Sequence, residues 1–209
     1  MIAIVDYGGG NLTSVARAVS HLGFTPLITG DGDRIKSADR IIFPGVGAAG
    51  SAMAAMERDG IDLAMNDAFA AGIPMLGICV GCQVIMERSE EDNAACLGLI
   101  SGGVKSFPRE MPVPLGGHLK VPHMGWNGLT VVQDHPLLHG VKTDDEFYFV
   151  HSYFPVPHDD KTVFAITDYG VTFTSALGRD NLFATQFHLE KSGEPGLLIL
   201  KNFCGWKPC

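Results

Sequence analysis

Short, continuous apolar runs alternate with segments of helical periodicity along the first half of the chain. The run Ile2–Val5 precedes a glycine cluster, after which apolar residues recur at helical spacing until Gly23. The same alternation predicts three more strands and two more helices, at 26–28, 40–43 and 73–78 and at about 51–71 and 81–87. Fully apolar strands are typical of parallel sheets buried on both faces. We therefore expect an α/β fold with a mostly parallel central sheet and helices on both faces.

The pattern changes after Gly98, where proline- and glycine-rich turns separate short strands predicted at 146–150 and 162–166. These strands indicate a smaller antiparallel extension, and a last helix is predicted at about 195–203. The 209 residues show no internal repeat or linker and are enough for one well-buried core. We therefore expect a single domain over residues 1–209.

Composition and charge narrow the classes of partner. The formal net charge is −8 with no basic run, whereas binding to nucleic acid or to a membrane surface needs clustered Lys and Arg. The apolar stretch 71–82 is shorter than the roughly 18 apolar residues of a membrane helix. The sequence shows no basic leader, and its five cysteines are odd in number, which suits a reducing compartment. We expect a cytoplasmic protein that binds a small molecule or another protein, with no nucleic acid and no membrane.

The segment GICVGCQ, residues 77–83, permits two kinds of cysteine chemistry. Cys79 lies between Gly77 and Gly81, after a predicted strand and before a predicted helix, as is typical of a nucleophile on a sharp turn. Cys79 and Cys82 also have the C-x-x-C spacing of a redox pair, and a helix N-terminus favours a thiolate in both cases. The segment alone does not choose between these interpretations and an inert buried cysteine.

A hydrolytic cysteine needs a base, and the base needs a group that orients it. In FATQFHLEKS, residues 183–192, a predicted strand ends at His188, and the alternation of side chains on an extended chain would place Glu190 on the same side. The carboxylate could then hold one ring nitrogen while the other faces a thiolate. His123 and His151 are rival bases, but neither is followed by a carboxylate at the second position.

Attack on an amide carbonyl creates an oxyanion, which requires hydrogen-bond donors. The segment FPGVGAAG, residues 43–50, lies between a predicted strand and a predicted helix, and its Gly45-Val46-Gly47 turn could offer a peptide N–H. The second donor would be the N–H of Val80, next to the cysteine. Removal of one such donor costs about 2.7–4 kcal/mol of transition-state stabilisation.

Two ligand sites are less well supported by the sequence. The glycines at 8–10 lack the third glycine of a G-x-G-x-x-G loop and a Walker lysine, so a tight strand-to-helix turn is the better interpretation. Cys204 and Cys209 could join Cys79 and Cys82 around zinc, but their spacing does not resemble a zinc knuckle. We expect no metal and no cofactor.

Three segments resemble the class I (triad) glutamine amidotransferases in order and spacing along the whole chain, namely Pro44-Gly45-Val46-Gly47, Gly77-x-Cys79-x-Gly81-x-Gln83 and His188-x-Glu190. Four more segments are similar to the glutaminase subunits of imidazole glycerol phosphate synthases, which act in histidine biosynthesis. These segments are DYGGGN, SEE, VPHMGWN and YFVHSY. A lone G-x-C-x-G would be weak support, but these segments occur in register over the chain.

The resemblance implies a role for each matching residue. Cys79 would attack the side-chain amide of glutamine, His188 would protonate ammonia and then activate water, and Glu190 would orient His188. Val46 and Val80 would form the oxyanion hole. The residues that match the substrate pocket are Gly47, Gln83, Glu91, His151 and Ser152.

The resemblance also implies a partner, because nothing in the chain is left to use the ammonia. This partner would be a (β/α)₈-barrel cyclase that forms imidazole glycerol phosphate and an aminoimidazole carboxamide ribotide. We expect docking on an exposed apolar patch, although Trp126 could equally be a core aromatic. The expected docking residues are Asn11, Met124, Trp126 and Lys191. Hydrolysis is expected to be slow without the partner, because the glycines beside Val46 would let its peptide rotate.

Two departures from the family leave alternatives open. Leu189 stands where the family usually has proline, which predicts a looser local backbone without loss of the chemistry. Cys82 replaces an apolar residue and creates the C-x-x-C spacing. The alternatives are a glutaminase subunit with another acceptor, a thiol oxidoreductase, and a non-catalytic interaction subunit if Leu189 displaces the histidine or the glutamate.

Overall fold

A mixed eight-stranded sheet forms the centre of the computed structural model, which describes residues 1–111 and 118–208. The strands are, in chain order, Ile2–Val5 (β1), Pro26–Thr29 (β2), Arg40–Gly45 (β3), Met75–Cys79 (β4), Arg88–Ser89 (β5), Ala94–Ala95 (β6), Gly102–Ser106 (β7), His123–Gly128 (β8), Thr130–Val131 (β9), Glu146–His151 (β10), Tyr153–Pro157 (β11), Val163–Asp168 (β12), Thr172–Arg179 (β13) and Leu182–Thr185 (β14). The order across the central sheet is β2-β1-β3-β4-β14-β13-β12-β9.

The helices connect and cover this sheet. They are Leu12–His21 (α1), Gly32–Lys36 (α2), Ala49–Asp59 (α3), Ile61–Ala70 (α4), Val80–Val84 (α5) and Gly193–Gly205 (α6), and short 3₁₀ turns form at Glu91–Asn93, Pro136–Leu138, Asp160–Thr162 and Leu189–Lys191. The connection from β1 to β2 and the connection from β3 to β4 run in opposite directions across the sheet. Right-handed crossovers therefore place α1 and the α3–α4 pair on opposite faces. Accordingly, α1 packs against α6, and α3 packs against α4 and α5.

The sheet is parallel from β2 to β14 and antiparallel from β14 to β9. Strands β1, β4 and β14 are fully buried because helices cover both faces of this part. Two smaller sheets, β11-β7-β5-β6 and β10-β8, lie beyond it. The predicted α/β class with a mostly parallel sheet and a smaller antiparallel part is confirmed. The antiparallel strands β13, β12 and β9 extend the main sheet itself.

The single helix predicted at about 51–71 is wrong, because two helices occupy this segment. Gly60 ends α3 in the left-handed region with φ of 70°, and its N–H donates to the carbonyls of Met56 and Glu57. A glycine adopts this conformation without the steric cost that a Cβ would add, so it reverses the chain between two apolar helices.

Within the two described ranges, no helix has both the length and the apolar character needed to cross a membrane.

Candidate active site

The carboxyl ends of three parallel strands meet at one edge of the sheet. Gly45 at the end of β3 pairs with Cys79 at the end of β4, and Thr185 at the end of β14 pairs with Ile78. In open α/β sheets, ligands bind outside the carboxyl ends of the strands. This edge is therefore where the fold places a reactive group.

Cys79 has a backbone conformation that is rare for a residue with a side chain, with φ of 57° and ψ of −107°. The neighbouring glycines make room for the turn. A Cβ on Gly81 would lie 2.0 Å from the Phe43 carbonyl oxygen, and a Cβ on Gly77 would lie 2.8 Å from the Gly81 carbonyl oxygen. Strained residues of this kind persist where the surrounding structure holds them, often at functional sites. The strained strand-to-helix turn expected at Cys79 is present.

His188 and Glu190 form a buried pair, with 2.9 Å between Nδ1 and Oε1. The sequence predicted this contact for the wrong reason. The chain is not extended at these residues, because Leu189–Lys191 is a 3₁₀ turn that brings the carboxylate back toward the ring. The backbone of His188 is fixed on both sides, since its N–H donates to the Tyr148 carbonyl and its own carbonyl accepts from Ser192 Oγ.

The protonation state of His188 is set by opposing effects. Burial by itself lowers the pKa of the imidazole. The interactions with Cys79 and Glu190 raise this pKa by more than burial lowers it, so the result is a pKa of about 9. The contacts with Glu190 and Cys79 therefore favour the protonated imidazole. His188 Nε2 and Glu190 Oε2 are buried and have no hydrogen-bond partner in the described residues, so the contact to the sulfur falls short of a formed hydrogen bond. Catalytic hydrogen bonds are often loose before the substrate binds.

Leu189 does not displace either member of the pair. Its side chain is fully buried in the core, and helix α6 packs closely over its backbone, since a Cβ on Gly196 would lie 2.1 Å from the Leu189 carbonyl oxygen. The looser backbone expected here is therefore not present. Leucine contributes to the core at this position.

A cavity of about 350 Å³ opens in front of Cys79 and His188. It is lined by Val46, Gly47, Cys79, Val80, Gln83, Glu91, Pro122, Val150, His151, Ser152, Tyr153 and His188. The structure thus brings every sequence-predicted catalytic, oxyanion and substrate residue to one place, with Glu190 behind the histidine. Pro122, Val150 and Tyr153 were not predicted, because their apolar side chains and backbone groups give no sequence signal.

The loop between β3 and α3 forms one wall of the cavity. Gly45 is packed so closely that an added Cβ would lie 2.2 Å from the Tyr7 hydroxyl and 2.8 Å from Val80 Cβ. Val46 follows with 45% of its surface exposed, and Gly47 has φ of 91°. Val46 and Val80, the residues expected to form the oxyanion hole, therefore line the same cavity as Cys79, with Val80 at the start of α5.

Glu91 also lines the cavity and contacts the end of this loop, because its Oε2 accepts a hydrogen bond of 2.8 Å from the N–H of Ala49 at the start of α3. Burial raises the pKa of this carboxyl group, and the Ala49 hydrogen bond opposes the rise. The glutamate thus caps a helix and at the same time presents a carboxylate to the cavity.

His123 and His151, the two other candidate bases, belong to one chain of hydrogen bonds. His151 Nδ1 donates to the Tyr153 carbonyl at 2.9 Å, so its Nε2 accepts from His123 Nδ1 at 3.0 Å. Asn127 Nδ2 lies 3.4 Å from the remaining ring nitrogen of His123. Burial lowers the pKa of His123 to about 4 and that of His151 to about 3. Both rings are therefore neutral near pH 7, and their nitrogens are held by other groups, which favours His188 over them as the base.

Acid is expected to destabilise the protein between about pH 6.5 and pH 4. Unfolded histidines bind a proton near pH 6.5, whereas folded His123 and His151 do not, so the unfolded state binds more protons in this range. Each contributes at most about 1.4 kcal/mol per pH unit, and lowering the pH from about 6.5 to 5 should reduce the free energy of unfolding by about 3 kcal/mol. Urea denaturation at a series of pH values measures this slope. The slope should become shallower in His151→Gln and stay unchanged in His21→Gln, whose histidine is exposed; a flat profile would contradict the assignment.

The expected docking residues lie beside this site. Met124 and Trp126 on β8 are 62% and 54% exposed, so the alternative of a core tryptophan is wrong. Trp126 packs edge-on against the Tyr148 ring at 5.9 Å, and Lys191 Nζ lies 5.5 Å from the same ring. Asn11 precedes helix α1 and is half-buried. These side chains form an exposed apolar surface with a basic edge, and its role in docking remains a prediction.

The remaining cysteine interpretations lose their support. Cys79 and Cys82 are both free thiols, and Cys82 is completely buried, which raises the pKa of its thiol well above the usual value. Such a thiol is a poor redox partner. In the described residues no cluster of three or more His, Cys, Asp or Glu could hold a metal ion, and Cys209 lies outside those residues.

The fold and the Cys-His-Glu arrangement agree with those expected of a triad amidotransferase. The family described as glutamine amidotransferase class-I matches residues 3–205. Two solved structures share the fold: PurLQS from Thermotoga maritima, with 20% identity, a TM-score of 0.75 and coverage of 98% of this chain and 97% of that chain, and the glutaminase domain of Trypanosoma brucei CTPS, with 16% identity, a TM-score of 0.60 and coverage of 100% and 95%.

Curated relatives narrow the class. The imidazole glycerol phosphate synthase subunit HisH of Neisseria meningitidis serogroup B (strain ATCC BAA-335 / MC58) is 47% identical over 98% of this chain and 99% of its own length. The subunit of the same name from Desulfovibrio desulfuricans (strain ATCC 27774 / DSM 6949 / MB) is 50% identical over 97% of this chain and 93% of its own. The chain belongs to the class-I glutamine amidotransferases and, within them, to the HisH subunits of imidazole glycerol phosphate synthase. The predicted function of a glutaminase subunit of this synthase is confirmed.

Proposed function

We propose that Cys79 is the nucleophile of glutamine hydrolysis in this subunit. Its sulfur attacks the side-chain amide carbon of glutamine, and a carbon–sulfur bond forms as the carbonyl becomes an oxyanion. The main support is the buried His188–Glu190 pair, at 2.9 Å, beside a cysteine with φ of 57° in one cavity. A thiolate next to an imidazolium needs no separate base for this step.

His188 acts twice in the proposed cycle. The imidazolium gives its Nε2 proton to the amide nitrogen, and the carbon–nitrogen bond breaks to release ammonia and leave a thioester. The neutral imidazole then takes a proton from water, which attacks the thioester and releases glutamate and the thiolate. Glu190 accepts from Nδ1 throughout, and so holds the ring in the tautomer that presents Nε2 to the reaction.

The remaining cavity groups bind substrate in this proposal. The N–H groups of Val46 and Val80 would stabilise the oxyanion, as both residues line the cavity with Cys79. The Glu91 carboxylate would pair with the α-ammonium group. Gly47 and the chain at His151 and Ser152 would enclose the α-carboxylate.

We infer that the ammonia passes to a (β/α)₈-barrel cyclase docked on the exposed face of β8. Strand pairing supports this choice of face, because Trp126 is opposite Tyr148, and Met124 is opposite Val150. Tyr148 bonds the backbone of His188, and the Val150 carbonyl lies 3.9 Å from Cys79 Sγ. A partner on this face would therefore contact the strand that supports the triad. A cytoplasmic location and a single domain over residues 1–209 remain predictions.

Glutamate release from glutamine is expected to be about 10²-fold faster with the cyclase and its nucleotide ligand than without them. This factor is the change in rate that one hydrogen-bond donor in an oxyanion hole provides. The glycines beside Val46 permit the peptide to move into place on docking. Coupled measurement of glutamate in the free and the assembled protein tests this. Trp126→Ala should weaken the stimulation, whereas Leu63→Ala, an exposed residue on α4, should not.

Equal rates with and without the liganded partner would contradict the proposed activation. Cys82→Ala serves as the control for the two cysteines, and it should behave as the wild type in both conditions. Loss of glutamate release in Cys82→Ala, with the fold retained, would instead restore the redox interpretation.

A further inference from the structure

Gln186 is a completely buried polar residue at the site that the catalytic assignment leaves unused. It lies two residues before His188, just after the end of β14. Its side chain contacts two groups of the cavity, because Oε1 accepts from Gln83 Nε2 at 3.1 Å and Nε2 lies 3.9 Å from Cys79 Sγ. One amide thus connects a predicted substrate ligand with the nucleophile.

The first contact fixes which end of the Gln83 amide faces the substrate. Gln83 Nε2 donates one hydrogen to the Tyr153 carbonyl at 2.9 Å and the other to Gln186 Oε1. Both donors are then used, and the oxygen is the polar atom left for the cavity. The opposite orientation would place the Gln83 oxygen against a carbonyl oxygen, which cannot donate. Gln83 therefore offers an acceptor, suited to the ammonium or amide N–H groups of glutamine.

The second contact acts on the sulfur. The Cys79 thiol has the Val150 carbonyl oxygen at 3.9 Å on one side and Gln186 Nε2 at 3.9 Å on another. A carbonyl oxygen favours the protonated thiol, because a thiolate has no hydrogen to give it. An N–H donor favours the thiolate, and the hydrogen bond strengthens when the acceptor is charged. Gln186 therefore opposes the effect of Val150.

We propose that Gln186 is a positioning residue for the glutaminase reaction: it holds the Gln83 carbonyl toward the substrate and stabilises the Cys79 thiolate with its N–H. This inference rests on the proposed role of Cys79 as the nucleophile. The sulfur loses its proton to His188 Nε2, and Gln186 exchanges no proton. Its effect on the thiolate exists in the free protein, so it can be measured without glutamine.

The test compares Gln186→Met with the wild type, since methionine keeps the volume but removes both hydrogen bonds. Alkylation of Cys79 by iodoacetamide should be about tenfold slower below the midpoint of its pH profile, which should move up by about one pH unit, because a hydrogen bond to a charged group is lost. At about pH 10, where a free thiol is largely ionised, the rates should agree. A change in access to the sulfur would slow the rates equally at every pH, and that result, or an unmoved midpoint, would overturn the thiolate effect.

Glutamine kinetics test the second half of the inference. In Gln186→Met, KM should rise about tenfold as Gln83 loses its fixed orientation. In a Gln83→Met background, the same substitution should leave KM unchanged while alkylation still slows. Additive effects on KM would overturn the orientation role. If the wild type releases no glutamate but the alkylation result holds, the hydrolytic function fails while the effect on the thiolate stands.

Two controls keep the result interpretable. Gln133→Met changes a glutamine whose amide bonds Asp160 and Val163 away from the site, and it should leave alkylation and kinetics unchanged. Thermal melting of each variant identifies loss of the fold. If Gln186→Met does not fold, Gln186→Leu replaces it, because leucine also forms no side-chain hydrogen bonds. Normal alkylation in a folded Gln186→Leu protein would overturn the thiolate effect as well.

Discussion

Cys79→Ala should abolish glutamine-dependent product formation by the assembled synthase, by about 10⁴-fold or more, while added ammonium still supports the cyclase reaction. The substitution removes the only atom that can form the thioester in the proposed cycle, and oxyanion stabilisation alone gives a small residual rate. The ammonia-dependent reaction should survive because it needs the cyclase and the docking face, and Cys79 is not on that face. Measurement of product with glutamine and with ammonium, on the same preparation, separates the two.

The matched control for this prediction is Cys82→Ala, three residues away and equally a buried free thiol. It should retain both activities. If Cys79→Ala also loses the ammonium-dependent reaction, the substitution has disturbed assembly, and the nucleophile assignment must be tested by alkylation instead. If Cys79→Ala retains glutamine-dependent activity, the assignment is wrong.

The sequence predicted those strands and helices whose type and position follow from hydrophobic periodicity alone. The apolar residues of the runs predicted at 2–5 and 40–43 are buried on a parallel sheet, as such runs are where helices cover both faces. The break at Gly60 was missed, since apolar residues continue on both sides at helical spacing. Only the left-handed backbone of the glycine separates the helices, and periodicity does not record it.

The candidate site was predicted by residue type, but its local geometry was predicted only at Cys79. Cys79, His188 and Glu190 were found from their spacing, yet the His188–Glu190 contact depends on a 3₁₀ turn and not on an extended strand. Gln186 was missed although it lies two residues before His188, because a glutamine in an apolar strand suggests chemistry only when its partners are known. Those partners, Gln83 and Cys79, lie more than 100 residues away in the chain.

Glu190→Gln should lower kcat for glutamine hydrolysis by about 10⁴-fold, a loss of the size seen when the carboxylate of a triad is made neutral. The carboxylate accepts from Nδ1 and so leaves Nε2 to exchange the proton. A glutamine amide can donate to Nδ1 instead, and then the wrong nitrogen carries the hydrogen. The variant should retain the fold, since the two side chains have the same shape.

The pKa of His188 gives a second measurement for this variant. Glu190 contributes to the rise of that pKa to about 9, so the pKa should fall in Glu190→Gln, and NMR titration of the imidazole would report it. A raised pKa stabilises the fold below about pH 6.5 and loses this effect as the pH rises toward 9, so the variant should also show a weaker loss of stability over that range. Glu194→Gln, an exposed residue near the start of α6, should change neither the rate nor the titration. A rate within tenfold of the wild type together with an unchanged pKa would mean that Glu190 does not orient His188, and the buried pair would then be a structural contact alone.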